Sequence, residues 1–174
     1  MSTKLMPGAQ APALSLPLVS GGTWTLTEQS PDAVTMVIVY RGYHCPLCKD
    51  FLSDELEPMI DDFNAAGVSV VAVSMDTEER AIKAKEEWGL SKTPIAYGMT
   101  EETARDWGLY VSSSIKEVEA AVFAEPGTFW VKPDGSLYLI DIANMPFARP
   151  DLKLLLAKVP AVGAGYPARG TKAA

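Results

Sequence analysis

The chain has 174 residues, a length that suits one domain with a sizeable hydrophobic core. Its 15 basic and 22 acidic side chains give a net charge of −7, which argues against nucleic acid as a partner. Two cysteines are too few for the disulfide framework of a small secreted protein. The chain lacks both an apolar run of the roughly 20 residues that span a bilayer and the apolar core of a signal peptide. We therefore expect a cytoplasmic protein with no membrane partner.

The first predicted elements are two short strands joined by a turn. Residues 13–18 alternate apolar with small or polar side chains, and Pro17 confines this strand to the edge of a sheet. Residues 24–26 return after the glycine-containing turn at 20–22. The two segments are therefore predicted to form an N-terminal β-hairpin.

The next stretch, residues 36–52, is predicted to be a buried strand, a short loop and the start of a helix. The uncharged apolar run at 34–40 is typical of a strand that is buried on both faces. Pro46 lies just inside the predicted helix, and apolar residues follow it at three- and four-residue spacing. Pro58 interrupts that pattern, so we expect a kink or break near residues 56–57.

Both cysteines of the chain, Cys45 and Cys48, lie at this junction of strand and helix. Cys45 is predicted at the helix N-terminus, where free backbone N–H groups and the helix dipole favour the nucleophilic thiolate. Cys48 follows after about 4.5 Å of helix rise, so a disulfide between the two is within reach. Arg41 and Lys49 add positive charge nearby, and His44, the only histidine, precedes the predicted nucleophile.

Three interpretations of the cysteine pair follow from the residues themselves. A redox pair is favoured, because a C-x-x-C after a strand in an α/β chain is typical of thiol–disulfide chemistry. The pair could instead be inert core residues, since free cysteine is often buried. A structural zinc site is the least favoured, because Cys45, Cys48 and His44 supply at most three of four ligands.

The rest of the chain alternates strands and helices, which indicates βαβ crossovers and an α/β fold. Strands are predicted at 68–74, 94–97, 128–131 and 136–140, and helices are predicted to open at Asp76, Thr100 and Pro150. The turn at 132–135 makes the last two strands an antiparallel hairpin, so the central sheet is mixed. Residues 111–119, which include three consecutive serines, are predicted to be a loop. We expect one domain over residues 1–159 and an extended tail over 160–174.

Several short motifs occur along the chain in a specific order. They are Gly8-x-x-Ala11-Pro12, Arg41-Gly42-Tyr43-His44-Cys45-Pro46-Leu47-Cys48, Val70-Val71-Ala72-Val73-Ser74-Met75-Asp76, Trp107-Gly108-Leu109, Thr128-Phe129-x-x-x-Pro133-Asp134-Gly135 and Met145-Pro146-Phe147-Ala148-Arg149-Pro150. Together they resemble the AhpC/TSA peroxiredoxin family, and in particular its bacterial peroxiredoxin-like branch, from about residue 6 to residue 158. The resemblance implies a thioredoxin-like fold with helices on both sides of the mixed sheet.

The resemblance also implies a thiol-dependent antioxidant oxidoreductase. In such an enzyme Cys45 would attack a hydroperoxide and become a sulfenic acid, and Cys48 would resolve it as a disulfide. An external thiol such as thioredoxin or glutathione would then restore both cysteines. Neither a metal nor a bound organic cofactor is implied. A homodimer is left open, with the N-terminal hairpin and the tail as candidate contacts.

The chain departs from the family pattern at three positions. The family places Pro seven residues, and Thr or Ser three residues, before the peroxide-attacking cysteine, where this chain has Ile38 and Gly42. Pro126 stands where the family has an Arg before the late Thr-Phe. The family Thr and Arg hold the peroxide and stabilise transition-state charge, so their absence supports an alternative in which the same cysteines reduce protein disulfides. A third, non-catalytic hypothesis is a redox-sensing module whose disulfide switches a surface.

Further residues are candidates for supporting the cysteines. Arg41 or Arg149 would replace the family Arg if either lies over the first cysteine, although Arg149 could equally be a cap or a surface salt bridge. Tyr43, together with Tyr40, would shape the pocket or pack in the core. Thioredoxins place a cis proline against their C-x-x-C, and Pro126 lies within one residue of that position. A cis bond is therefore predicted before Pro126.

Overall fold

The computed structural model describes residues 4–172, so the two ends of the predicted domain and tail, residues 1–3 and 173–174, lie outside it. The strands are β1 Ser15–Pro17, β2 Thr23–Thr25, β3 Val34–Val39, β4 Val68–Val73, β5 Ile95–Ala96, β6 Val111–Ser113, β7 Val122–Ala124, β8 Gly127–Val131 and β9 Leu137–Ile142. The α-helices are α1 Pro46–Asp50, α2 Ile60–Ala65, α3 Glu78–Glu87, α4 Glu101–Asp106 and α5 Leu152–Gly163. Short 3₁₀ turns occur at Leu26–Glu28 and Glu57–Met59, and a π-helical segment at Phe51–Leu56. Over residues 4–172, no helix has the length and apolar character to cross a membrane.

Five strands form the central mixed sheet, in the order β5–β4–β3–β8–β9. β3 pairs in parallel with β4, which pairs in parallel with β5, whereas β8 is antiparallel to both β3 and β9. All six residues of the central β3 are buried, which accounts for its uncharged apolar sequence. The α/β class, the mixed sheet and the β8–β9 hairpin are therefore as predicted.

The side chains of β3 alternate between two hydrophobic cores, one on each face of the sheet. Met36 and Ile38 pack with the helical residues 46–65 and with α3 and α5. Val37 and Val39 pack on the other side with α4 and the β1–β2 hairpin. Both faces of the sheet are therefore covered. The loop that carries Cys45 begins where β3 ends, at the edge of the sheet and of the helices packed on it.

A continuous helical segment follows Cys45 and changes its hydrogen-bonding pattern along its length. α1 passes into the π-helical segment, then into the 3₁₀ turn and α2. Pro58, in the 3₁₀ turn, has no N–H to continue regular α-helical bonding. The predicted kink or break near residues 56–57 is thus a change from π-helical to 3₁₀ hydrogen bonding, with no interruption of the helical backbone. One apolar side holds the segment on the sheet through Cys48, Phe51, Leu52, Leu56, Ile60 and Phe63.

Two antiparallel hairpins lie outside the central sheet. The predicted N-terminal hairpin is confirmed, with Leu16 opposite Trp24. Residues 111–119 are not a simple loop as predicted, because β6 pairs with β7, with Ser112 opposite Phe123. β6 has only three residues, two of them serines, and therefore shows no apolar pattern. β7, which also has only three residues, was not predicted from the sequence.

Two helix ends differ from the prediction. α3 is capped by Thr77, whose side chain accepts from the N–H of Arg80, because the carboxylate of Asp76 is buried and bonded elsewhere. α5 continues to Gly163, so residues 160–163 are helical and not part of an extended tail. Val159, near the end of this helix, remains buried against the core, which favours the longer helix.

Candidate active site

Cys45 is the N-cap residue of α1 and lies at the end of the loop that follows β3. Its Sγ accepts a hydrogen bond from the backbone N–H of Cys48 at 3.2 Å. A hydrogen bond from the Cys48 thiol is the main reason that the pKa of Cys45 falls to about 7. Burial opposes this fall, whereas the Cys48 N–H and the charges of Arg149 and Arg41 assist it. At neutral pH about half of the Cys45 population is therefore thiolate.

Cys48 lies one turn further along the helix, is fully buried, and carries a free thiol, as Cys45 does. Burial and the hydrogen bond with Cys45 raise the pKa of Cys48 well above its ordinary value. The two thiols are thus unequal: Cys45 ionises near neutral pH, while Cys48 stays protonated. Cys45 keeps only 3% of its surface exposed.

Arg149 reaches the cysteine pair from the loop before α5. Its Nη2 donates a hydrogen bond to Cys48 Sγ at 3.0 Å, and its Nε donates to the carbonyl oxygen of Pro146 at 3.1 Å. The guanidinium carbon lies 4.6 Å from the centre of the Phe51 ring, a cation–π contact. The structure therefore brings Arg149 to the candidate site, although its hydrogen bond is to Cys48.

Arg41 is held by a buried carboxylate that the sequence did not single out. Its Nε and Nη2 donate to Glu125 Oε2 and Oε1 at 2.6 and 3.0 Å, a bidentate pair. Ser112 Oγ also donates to Glu125 Oε1, at 2.6 Å. Because its guanidinium is engaged in this way, Arg41 acts on Cys45 through charge and not through a hydrogen bond. A carboxylate 84 residues from its partner leaves no spacing signal in a sequence.

Tyr43 and His44, the two residues before Cys45, pack against aromatic side chains of neighbouring elements. Tyr43 Oη donates to Glu87 at 2.5 Å, and its ring stacks on Trp88 at a centroid distance of 6.2 Å. His44 packs edge-on against Phe123 at 4.7 Å, and within residues 4–172 its two buried nitrogens have no hydrogen-bond partner. Burial lowers the pKa of His44, so its ring is neutral at pH 7. Tyr40 lies fully buried in the core.

The loop before Cys45 is pressed against the buried Asp76. Gly42 has a φ of +135°, and a Cβ atom there would lie 2.6 Å from Asp76 Oδ1. Asp76 Oδ2 accepts from the N–H of Tyr43 at 2.8 Å, and Oδ1 accepts from Arg80 Nε at 3.2 Å. Burial raises the pKa of Asp76. Only glycine suits position 42, on grounds of both backbone conformation and space.

The AhpC/TSA family model matches residues 7–140, most of the chain. The chain belongs to the AhpC/TSA family. A Mycobacterium tuberculosis protein whose name assigns it provisionally to the peroxiredoxins is 29% identical over 138 residues, 78% of this chain and 84% of the relative. The family is one of thiol-dependent peroxidases, which agrees with the resemblance noted in the sequence.

Two solved structures show that the fold is the thioredoxin-like fold of peroxiredoxins, as predicted. The crystal structure of peroxidoxin BcpB from Mycobacterium tuberculosis has a TM-score of 0.74 and 16% identity, covering 91% of this chain and 99% of that one. The reduced 2-Cys peroxiredoxin of Plasmodium vivax has a TM-score of 0.76 and 15% identity, covering 92% and 83%.

Among AhpC/TSA positions, Gly42 replaces the Thr or Ser that precedes the reactive cysteine. The contact with Asp76 shows why the family residue does not fit, since even its Cβ would clash.

Pro126 replaces the family Arg and is buried just before β8. The predicted cis bond is wrong, because no peptide bond within residues 4–172 is cis. The residue before Pro126, Glu125, donates its backbone N–H to the carbonyl oxygen of Tyr110, and its carboxylate binds Arg41.

A groove of about 910 Å³ opens beside Arg149 and is lined by Leu47, Phe51 and Phe147, among others. Leu47 is 45% exposed and Phe147 is 69% exposed, and charged side chains such as those of Asp54 and Lys153 line the groove beside them. In the described part of the chain, no three His, Cys, Asp or Glu side chains come close enough together to hold a metal ion. The reactive groups that the described residues bring together here are the two thiols, with the guanidinium groups of Arg41 and Arg149 near them.

Proposed function

We propose that this AhpC/TSA protein is a peroxidase in which Cys45 reduces hydroperoxides and Cys48 is the resolving thiol. The observation that carries the proposal is the unequal pair: Cys45 has a pKa of about 7 beside a Cys48 whose pKa is raised. A thiol of that acidity supplies about half of its population as the nucleophilic thiolate at neutral pH. The family supports a hydroperoxide as substrate and an external thiol, such as thioredoxin or glutathione, as reductant.

The proposed cycle has three balanced steps. The Cys45 thiolate attacks a peroxide oxygen, the O–O bond breaks, and the released alkoxide or hydroxide takes a proton, leaving Cys45 as sulfenic acid. The sulfur of Cys48 then displaces hydroxide from Cys45, which gives the disulfide and water. Two external thiols finally reduce that disulfide and leave as their own disulfide.

A second candidate uses the same cysteines to reduce protein disulfides. Gly42 and Pro126 favour it, because the family side chains that hold a peroxide are absent at these positions. In the reduced protein, the form that would attack a protein disulfide, Cys45 is only 3% exposed, so the loop must open before its sulfur can reach such a substrate. A small peroxide needs a much smaller opening, so we place the peroxidase first.

The deciding experiment is stopped-flow oxidation of the reduced protein by hydrogen peroxide, with Cys45→Ser and Cys48→Ser beside the wild type. We expect peroxide consumption to be lost in Cys45→Ser. Cys48→Ser should retain the first oxidation and allow its sulfenic acid to be trapped with dimedone. A slow peroxide reaction together with rapid reduction of a protein disulfide would replace the peroxidase by the second candidate.

A further inference from the structure

We propose that Arg149 is a catalytic residue for the reductive half of this cycle, where it stabilises the thiolate of Cys48 as that sulfur leaves the disulfide. The inference rests on the proposed thiol–disulfide cycle, though not on a peroxide as the oxidant. Arg149 Nη2 lies 3.0 Å from Cys48 Sγ, the sulfur that must accept the electron pair when the disulfide breaks. In the family pattern the Arg near the reactive cysteine comes from the position of Pro126, so Arg149 enters from a different part of the chain.

The guanidinium is fixed in place before any charge develops on the sulfur. It packs on the Phe51 ring at 4.6 Å, and its Nε donates to Pro146 O at 3.1 Å. Its Nη1 is buried and, among the described residues, has no hydrogen-bond partner. Because Nη1 shares a carbon with Nη2, the guanidinium carries an unused donor next to the one that bonds Cys48. A preorganised cation of this kind stabilises charge without reorganising at the moment of reaction.

The position of Cys48 explains why such a cation is needed there. Its side chain is fully buried, and burial makes its thiolate costly. A disulfide is reduced faster when its leaving thiolate is stabilised. Cys48 has no exposed surface and is contacted by Arg149, whereas Cys45 keeps 3% of its surface exposed, so Cys45 is the sulfur that is attacked and Cys48 is the one that leaves.

The electrons can be followed through the two reductive steps. An external thiolate attacks Cys45 Sγ, the Cys45–Cys48 bond breaks, and its electron pair goes to Cys48 Sγ, opposite the guanidinium of Arg149. Cys48 then takes a proton from water. A second external thiolate attacks the external sulfur of the mixed disulfide, Cys45 leaves as thiolate, and the external disulfide departs.

The test compares the full-length wild type with Arg149→Met, Arg149→Lys and Lys153→Met. Methionine keeps an unbranched stem against Phe51 but removes the charge and donors. Lys153 is exposed in the same groove, so Lys153→Met removes the same charge from the same surface without touching either sulfur. Each protein is first oxidised with diamide, which forms the disulfide without peroxide, and is then reduced with dithiothreitol in a stopped-flow instrument.

We expect reduction to be about 10- to 100-fold slower in Arg149→Met, the range for a lost hydrogen bond to a charged group. Lys153→Met should stay within about twofold of the wild type, since an exposed charge contributes little. Arg149→Lys should lie between them, because it keeps the charge and loses the planar donors. Equal reduction rates in wild type and Arg149→Met would overturn the proposal.

A second measurement separates a role at Cys48 from a general effect on the site. In a Cys48→Ser background at about pH 9, where Cys45 is thiolate, Arg149→Met should change iodoacetamide alkylation of Cys45 by less than about threefold. A loss there as large as the loss in reduction would show that Arg149 serves Cys45 or the fold, and would refute the assignment. If Arg149→Met does not fold, judged by circular dichroism, Arg149→Lys decides by the same comparison.

The outcomes also keep this inference apart from the proposed function. If the wild type forms the disulfide with diamide but does not react with peroxide, the proposed peroxidase activity is refuted, while the role of Arg149 is still tested by the reduction rates. If the wild type forms no disulfide with either oxidant, both the proposed function and the role of Arg149 are refuted.

Discussion

At the level of single residues, the hydrogen bond between the two cysteine side chains acts in opposite directions on its two partners. It lowers the pKa of Cys45 and raises that of Cys48, because the proton rests on Cys48. Neither effect requires a metal or a base in the site. Together with the burial of Cys48 and the charges of Arg149 and Arg41, this interaction sets which sulfur reacts first.

The first prediction concerns the pH dependence of Cys45. Its alkylation rate by iodoacetamide should rise with pH and level off above a midpoint of about 7, because the thiolate is the reactive form. Cys48→Ala removes the thiol donor, so the midpoint should increase by about one pH unit. Cys48→Ser keeps a hydroxyl donor and is the matched control, with a midpoint close to that of the wild type. An unchanged midpoint in Cys48→Ala would contradict the role of the Cys48 thiol.

A second prediction concerns the buried pair of Arg41 and Glu125. Glu125→Gln keeps the size of the side chain but leaves Arg41 without its counter-charge, so the free energy of unfolding should fall by about 2 kcal/mol. The control is Glu79→Gln, which breaks an exposed pair with Lys83 and should leave the free energy of unfolding nearly unchanged. Urea unfolding of the reduced proteins measures both changes. Equal losses in the two variants would show that burial of Glu125 adds nothing.

At the level of elements, the loop between β3 and α1 is held from two sides. Asp76, just before α3, accepts from the N–H of Tyr43, and Arg80 bonds the same carboxylate. Arg80 Nη2 also donates to Val118 O at 3.1 Å, which joins the β6–β7 hairpin to this arrangement. The position of Cys45 is thus set jointly by α3 and by a hairpin that lies outside the central sheet.

A third prediction tests this loop through Gly42. Gly42→Ala should lower the free energy of unfolding by about 3 kcal/mol, because it combines a positive φ with a clash against Asp76. Gly22→Ala is the control: Gly22 also has a positive φ but no neighbour within 4 Å of an added Cβ. Its cost should be about 1 kcal/mol, the backbone contribution alone. Thermal unfolding compares the two, and similar losses would mean that Asp76 makes room for the methyl group.

The elements that the sequence predicts are those with a long or distinctive local pattern. β3 and β4 are six-residue apolar strands, and the turn before β9 carries Pro-Asp-Gly. β6 and β7 have three residues each, too few to show a period, and the connection between them is bound by Arg80, a residue distant in sequence. Such contacts leave no periodicity, so the hairpin could not be predicted.

At the level of the whole molecule, packing from several elements leaves Cys45 only 3% exposed. A fourth prediction follows for Cys48→Ser, in which Cys45 is the sole thiol. The native protein should discriminate between iodoacetamide and a bulky maleimide at least about tenfold more than the same protein unfolded in urea, because the larger reagent needs a wider local opening. Equal discrimination in the two states would mean that the loop already opens freely.

The candidate site was predictable in its sulfurs but not in the residues that surround them. The spacing of Cys45 and Cys48 marks them directly. Arg149 was a candidate from its motif, yet its bond to Cys48 joins residues 101 positions apart. Asp76 resembled a helix cap because its burial comes from the folded layers and not from its neighbours in sequence. Glu125 was missed for the same reason.

The contact between Gly42 and Asp76 also bears on how such a sequence can evolve. A threonine at position 42 and this carboxylate exclude each other in the present backbone, so substitutions at the two sites are epistatic. Replacing Asp76 first removes the acceptor for Tyr43 and Arg80, and replacing Gly42 first creates the clash. Either single step passes through a less stable protein. Exchange of this glycine for the threonine of the family pattern therefore requires a compensating change at or around Asp76.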